Sequence, residues 1–117
     1  MVFKTIDNEI VIEKNENLVV LEFNIPPSCG YFDGHFPGFP ILPAVAQIEL
    51  AVRFASRYFG ISAALSEIKK VKFSNLIQPC TPLRLKLEKK DKVISFGFIS
   101  PNDGTVYSKG TVIQEEI

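Results

Sequence analysis

The sequence contains no tryptophan, a single histidine and only two cysteines among its 117 residues. One histidine and the distant pair Cys29 and Cys80 do not make a plausible zinc site, so we expect no metal. Neither cysteine belongs to a CxxC pair, which favours free thiols in a cytoplasmic protein and leaves a disulfide open. No glycine-rich phosphate loop or dinucleotide fingerprint is present, and no cofactor is expected.

The sequence also lacks an excess of positive or negative charge and a long uninterrupted hydrophobic run. The 13 basic residues balance the 13 acidic ones, so overall charge gives no reason to expect nucleic-acid binding. The N-terminal residues contain no apolar core of signal-peptide length, and we expect no targeting segment. The longest apolar stretch, residues 41–59, does not read as a membrane span because four polar or charged residues interrupt it: Gln47, Glu49, Arg53 and Arg57.

What is present indicates one domain over residues 1–117, with two strands, a helix and four more strands. Strands are predicted at 10–12 and 17–25, and Pro26-Pro27 ends the second because proline cannot donate a ladder hydrogen bond. The later strands are predicted at 68–73, 83–88, 93–99 and 105–113, and 83–88 alternates with period two. Their short connections predict antiparallel neighbours.

The helix is predicted over residues 44–59, about 24 Å long at 1.5 Å per residue. Pro43 suits the start of a helix, and Gly60 suits its end. Apolar residues cover nearly all of its faces, so it should be buried on most sides. These elements predict an α+β fold in which a curved antiparallel sheet wraps around one long central helix.

Three features at the start of this helix can carry chemistry. His35, in a loop dense in glycine and proline, is the residue type best matched to proton transfer near neutral pH. Glu49 falls in the second turn, where desolvation would favour its protonated form. The free backbone N–H groups of Ala44 and Val45 can stabilise a developing oxyanion.

Each feature also has a structural alternative. A single loop histidine is more often structural than catalytic. Glu49, Arg53 and Arg57 follow one another at i, i+4 spacing, which is typical of a solvated, salt-bridged stripe. The proline-rich loop can serve as rigid packing. From the residues alone both interpretations stay open.

The string GHFPGFPILPAV, followed by Glu49, resembles the active-site segment of the (3R)-hydroxyacyl-acyl-carrier-protein dehydratases. Their pattern is GHFPxxPxxPGV with an acidic residue fourteen positions after the histidine, and His35 and Glu49 reproduce that spacing. The resemblance implies a hotdog fold. It also implies that His35 removes the C2 proton, Glu49 protonates the departing C3 hydroxyl, and the N–H at position 44 polarises the thioester carbonyl.

Other details refine the resemblance. Glu rather than Asp at position 49 implies simple dehydration without isomerisation, and the short chain resembles the compact dehydratases of aryl-polyene synthesis. Ala44 replaces the family's glycine, which a backbone contact tolerates if its backbone angles are ordinary. Arg53 replaces the family's glutamine, and its charge would oppose proton donation by Glu49.

The resemblance implies two partners: an acyl carrier protein, and a second hotdog chain in a homodimer or heterodimer whose sites pair His35 with Glu49 of the other chain. Carrier proteins are acidic, so a basic surface should steer them, and Lys69, Lys70 and Lys72 are the candidates. Two alternatives to a dehydratase remain. One is a hotdog thioesterase in which Glu49 activates water, and the other is a non-catalytic subunit of a dehydratase heterodimer.

Overall fold

Six strands and one helix make up residues 8–26, 41–61 and 65–114, the part of the chain that the computed structural model describes. The predicted order of two strands, one helix and four strands is confirmed. The elements are β1 (Ile10–Lys14), β2 (Leu18–Phe23), α1 (Ala44–Phe59), β3 (Leu65–Phe73), β4 (Leu83–Lys90), β5 (Val93–Ile99) and β6 (Val106–Gln114). No helix within these ranges is both long and apolar enough to span a membrane.

Helix α1 begins and ends at the predicted residues because both signals are local. Pro43 occupies the N-cap in extended conformation, with φ −65° and ψ 154°, and no side chain caps the helix. At the other end Gly60 adopts a left-handed conformation, with φ 66°, and its N–H donates to the Ser56 carbonyl. Glycine takes this conformation without the steric cost that a Cβ would bring.

The six strands form one antiparallel sheet in the order β1-β2-β4-β5-β6-β3. The short connection from β3 to β4 predicted that these two strands would be neighbours, and this was wrong: β3 pairs with β6 at the sheet edge. In the sheet β3 and β4 are three strand spacings apart, a distance of about 14 Å. Residues 74–82, which connect them, can span about 30 Å when extended and therefore reach across. The lysine-rich β3 suits an edge, where charged side chains remain in water.

One face of the sheet and one face of α1 enclose the core. Alternate residues of β2, β4 and β5 are buried towards the helix, as the period-two pattern predicted. Phe54 of α1 packs against Phe23, and the Phe96 ring lies over Gly110, where an added Cβ would be 2.9 Å from the ring. The opposite flank of α1 is exposed, and Val45 there has 72% of its surface accessible. The predicted α+β architecture is confirmed.

Candidate active site

The first turn of α1 leaves two backbone donors without a partner among the described residues. The N–H groups of Ala46 and Gln47 both donate to the Pro43 carbonyl at 3.1 Å, whereas those of Ala44 and Val45 make no such bond. Both residues are exposed. Unpaired first-turn N–H groups lie at the positive end of the helix dipole, and the stabilisation of an oxyanion by these two stays a prediction.

Ala44, which stands where the resembling family has glycine, fits its position without strain. It begins α1 and is not among the described residues with positive φ. Its methyl group is exposed to solvent. The condition set from the sequence, that alanine needs ordinary backbone angles here, is therefore met.

Glu49 lies one turn beyond Val45 on the same flank of α1. Its carboxylate accepts a hydrogen bond of 2.7 Å from Nη2 of Arg53, and the two side chains are 37% and 42% exposed respectively. Glu49 is only half-buried and not enclosed as the apolar helix predicted, because the flank that carries it faces outwards. The ion pair that the i, i+4 spacing offered is formed instead.

His35 lies outside the described residues, as do Cys29 and the rest of the glycine- and proline-rich loop at 27–40. The structure therefore places Val45 and Glu49 one turn apart on one flank of α1, with Ala44 as its first residue, and the pairing of His35 with Glu49 stays a prediction.

The three lysines predicted to bind a carrier protein are all exposed on edge strand β3. Lys69 pairs across the sheet with Thr111 and Lys72 with Lys109. These partners alternate with buried residues of β6, so Lys69 and Lys72 occupy the face of the sheet opposite α1. Within one subunit they are not brought together with Glu49.

Gln47 is a residue that the sequence interpretation treated only as an interruption of an apolar run. It is 3% exposed, and its Nε2 donates to the Leu42 carbonyl at 3.2 Å. Its Oε1 is buried and has no hydrogen-bond partner within the described residues. A polar residue on the inner face of an apolar helix is the signal that could have identified it.

A second cluster that the sequence did not reveal joins Glu9 to the last turn of α1. The Glu9 carboxylate accepts hydrogen bonds from Arg57 Nη1 at 2.6 Å and from the Tyr58 hydroxyl at 2.7 Å. Burial alone raises the pKa of Glu9, but the bonds from Tyr58, its own backbone and Arg57 outweigh it, so this pKa lies below its usual 4.5. Burial, and then the bond to Glu9, raises the pKa of Tyr58.

A single helix packed on a six-stranded antiparallel sheet is the hotdog fold. In this chain Glu49 follows the unpaired N-terminal amides of that helix. The dehydratase heterocomplex ApeI:P from Xenorhabdus doucetiae aligns with 92% of this chain and 97% of its own, with a TM-score of 0.77 and 26% identity. The model of the ApeI-like family, described as ApeI dehydratase, matches residues 11–111. The chain belongs to this family, which confirms the resemblance inferred from the segment between His35 and Glu49.

Two curated relatives carry the name 3-hydroxyacyl-[acyl-carrier-protein] dehydratase FabZ. The protein of Lactiplantibacillus plantarum is 30% identical over 96 residues, which cover 76% of this chain and 65% of the relative. That of Chlamydia trachomatis serovar D is 29% identical over 119 residues, covering 94% and 73%. The chain thus spans 65% of the length of the first relative.

Proposed function

We propose that this chain dehydrates 3-hydroxyacyl-acyl-carrier-protein thioesters to trans-2-enoyl thioesters and water, in fatty-acid or polyene synthesis. The observation that carries the proposal is the placement of Glu49 one turn beyond the unpaired amides of Ala44 and Val45. Besides a base, this elimination needs a proton donor and oxyanion donors, and Glu49 and the first-turn amides of the same helix can supply them. Membership of a dehydratase family and the names of the FabZ relatives support the same reaction.

The proposed mechanism assigns one task to each group. His35 removes the proton at C2, and the electron pair of that C–H bond forms the C2–C3 double bond as the C3–O bond breaks. Glu49 gives its proton to the departing hydroxyl, which leaves as water. The N–H groups of Ala44 and Val45 stabilise the charge that develops on the thioester oxygen. Proton exchange with solvent then restores His35 and Glu49.

We propose that the working unit is a dimer, either of two identical chains or with a related hotdog subunit, in which His35 of one chain faces Glu49 of the other. The flank of α1 that carries Glu49 exposes Val45, and edge strand β3 exposes Ile68 and Phe73. A second subunit can cover both surfaces. The structural neighbour ApeI:P is itself described as a heterocomplex.

The proposed carrier-protein surface is formed by Lys69, Lys70 and Lys72. Acidic carrier proteins would be attracted to exposed lysines on an edge strand, and the attraction would act mainly on the rate of encounter. Arg84 and Lys86, which lie in the same basic stretch of sequence, are paired with Glu22 at 2.6 Å and with Glu88 at 3.1 Å. On β3, Lys69 is paired more loosely with Glu67, at 3.6 Å. The charges of β3 are therefore the less neutralised ones, which makes this strand the better candidate.

The test is an assay of the purified chain with a trans-2-enoyl N-acetylcysteamine thioester, read in the hydration direction. Hydration supports the proposal, and release of the thiol without hydration would indicate the thioesterase alternative. In the same assay His35→Ala should lower the rate by about 10² to 10⁴, because no second imidazole is available to transfer the C2 proton, which His35 removes in dehydration and delivers in hydration. A thermal unfolding curve matching the wild type controls for folding, and retention of more than about a tenth of the rate would contradict the assigned role.

A second candidate, a non-catalytic subunit of a dehydratase heterodimer, is favoured by one observation. Arg53 binds the Glu49 carboxylate and so stabilises the form that cannot donate a proton. The same assay separates the candidates, because such a subunit shows neither hydration nor thiol release alone and supports hydration only when a related hotdog subunit is added.

A further inference from the structure

The junction between Leu42 and Pro43 sets the direction in which α1 begins. The N–H of Leu42 donates to the Ile77 carbonyl at 2.8 Å, which holds the peptide plane before Leu42. The next plane, between Leu42 and Pro43, has no N–H because its nitrogen belongs to proline. It can be held by hydrogen bonding only through the Leu42 carbonyl.

Gln47 supplies the hydrogen bond to that carbonyl. Its Nε2 lies 3.2 Å from the Leu42 oxygen, and the side chain is 3% exposed, so water does not compete for the contact. Among the described residues no other group donates to this oxygen. Gln47 therefore fixes the peptide plane that directly precedes the N-cap and the two unpaired amides.

Stability alone gives little reason for a glutamine at this position. Its Oε1 is buried without a partner in the described part of the chain. The cost of a buried, unpaired acceptor is comparable to what one neutral hydrogen bond contributes, so the two ends of this side chain roughly cancel. An apolar side chain of similar shape would fill the same space without that cost.

We propose that Gln47 is a positioning residue that aligns the Ala44 and Val45 amides with the thioester oxygen of the substrate. The inference rests on the proposed dehydration, in which these amides stabilise charge that develops in the transition state. A small rotation of the Leu42–Pro43 plane turns the first helical turn away from the oxygen, and such misplacement acts on the chemical step more than on binding.

The test compares three proteins in the enoyl thioester assay: the wild type, Gln47→Met and Ser108→Ala. Met keeps the volume of Gln47 but cannot donate to Leu42. Ser108 is a matched control, because it is also fully buried and its Oγ also has no described partner, but it lies on β6. For Gln47→Met we expect kcat to fall about ten- to a hundredfold, with KM within about twofold and a melting temperature close to that of the wild type. Ser108→Ala should leave kcat and KM unchanged.

If Gln47→Met does not fold, Gln47→Asn serves in its place, because it keeps the amide but is one methylene too short to reach Leu42. Amide NMR spectra of the same proteins give a readout that needs no activity: the Ala44 and Val45 signals should move in the Gln47 variant and stay in place in Ser108→Ala. Unchanged kcat, or unmoved signals, overturns the inference. A wild-type protein without hydration activity, in which the signals still move, counts against the proposed function and leaves the positioning by Gln47 in place.

Discussion

Glu49 and Arg53 form the most consequential contact at the scale of single residues. The proposed chemistry needs Glu49 to carry a proton, whereas the guanidinium 2.7 Å away stabilises the carboxylate. Both side chains are more than a third exposed, so solvent screens the pair and its strength is that of a surface salt bridge, about 0.2–1 kcal/mol. A pair of this strength is compatible with the proton donation proposed for Glu49.

Arg53→Gln should therefore raise the rate of dehydration at neutral pH, by at most about fivefold, because removing a pair worth up to about 1 kcal/mol shifts the balance from the carboxylate to the proton-donating acid by that factor. Initial rates with a 3-hydroxyacyl N-acetylcysteamine thioester measure the effect. Arg57→Gln is the matched control: the same substitution one turn further on removes a partner of Glu9 instead of Glu49. A slower Arg53→Gln enzyme would show that Arg53 assists the reaction and that the opposition inferred here is wrong.

At the scale of elements, the cluster around Glu9 ties the start of β1 to the end of α1. The side chain of Glu9 is 6% exposed, and its carboxylate accepts hydrogen bonds from two residues of α1, Arg57 and Tyr58. Breaking hydrogen bonds to a buried charge is costly, because the partners that remain buried no longer have a hydrogen bond to offset their desolvation. The cluster therefore contributes to stability through its ionised form.

Glu9→Gln should lower the free energy of unfolding by about 1–2 kcal/mol at neutral pH. Because the pKa of Glu9 in the folded protein is below its usual 4.5, this stabilisation is present above that value and is lost as the pH falls through the folded-state pKa. Urea unfolding of both proteins across this range measures the difference. Glu13→Gln, on exposed β1, is the control, and a gap between wild type and Glu9→Gln that persists at low pH would rule out the ionised carboxylate as its source.

Strand β3 carries the second prediction at this scale. Reversing the charges of Lys69, Lys70 and Lys72 to glutamate should lower kcat/KM for a carrier-bound substrate about tenfold or more, because electrostatic steering is lost. The rate on the small N-acetylcysteamine thioester should not change, since that substrate carries no acidic protein. The ratio of the two rates is the measurement.

A second triple variant, with the same change of charge on β4, controls for net charge: Lys86, Lys89 and Lys90 to glutamate. If the ratio of the carrier-bound rate to the small-substrate rate falls equally in both triple variants, overall charge and not the β3 surface governs carrier recognition. An unchanged ratio in the β3 variant removes Lys69, Lys70 and Lys72 from the proposed docking surface.

For the whole molecule, the proposed dimer would cover the exposed flank of α1 and the edge that β3 forms among the described strands. A site shared between chains has a consequence that a site within one chain does not. Two inactive proteins, one lacking His35 and one lacking Glu49, can complement each other in a mixed dimer. Such a dimer contains one site with both defects and one intact site.

His35→Ala and Glu49→Ala proteins, each inactive alone, should recover activity after mixing and subunit exchange. Random exchange makes about half of the dimers mixed, each with one intact site of two, so the ceiling is about a quarter of wild-type activity. Differently tagged chains report the exchange itself. Exchange without recovered activity would place both residues in the site of a single chain, and a protein that sediments as a monomer would remove the shared site.

Local physical chemistry allowed much of this fold to be predicted from the sequence alone. Pro43 and Gly60 define the bounds of α1 through their own backbone preferences, and the alternation at 83–88 identifies β4 because side chains on a strand point to opposite faces in turn. The segment from His35 to Glu49 identified the family, since its information lies in residue types and spacing.

Only the tertiary structure decided the rest, because it depends on residues that are distant along the chain. The edge position of β3 follows from its pairing with β6, which no local pattern specifies. The same holds for Glu9, which meets Arg57 across 48 positions, and for Gln47, whose role depends on where the Leu42 carbonyl points. The i, i+4 spacing of Glu49 and Arg53 permitted both a buried acid and a salt bridge, and the exposure of that flank of α1 selected the salt bridge in this subunit.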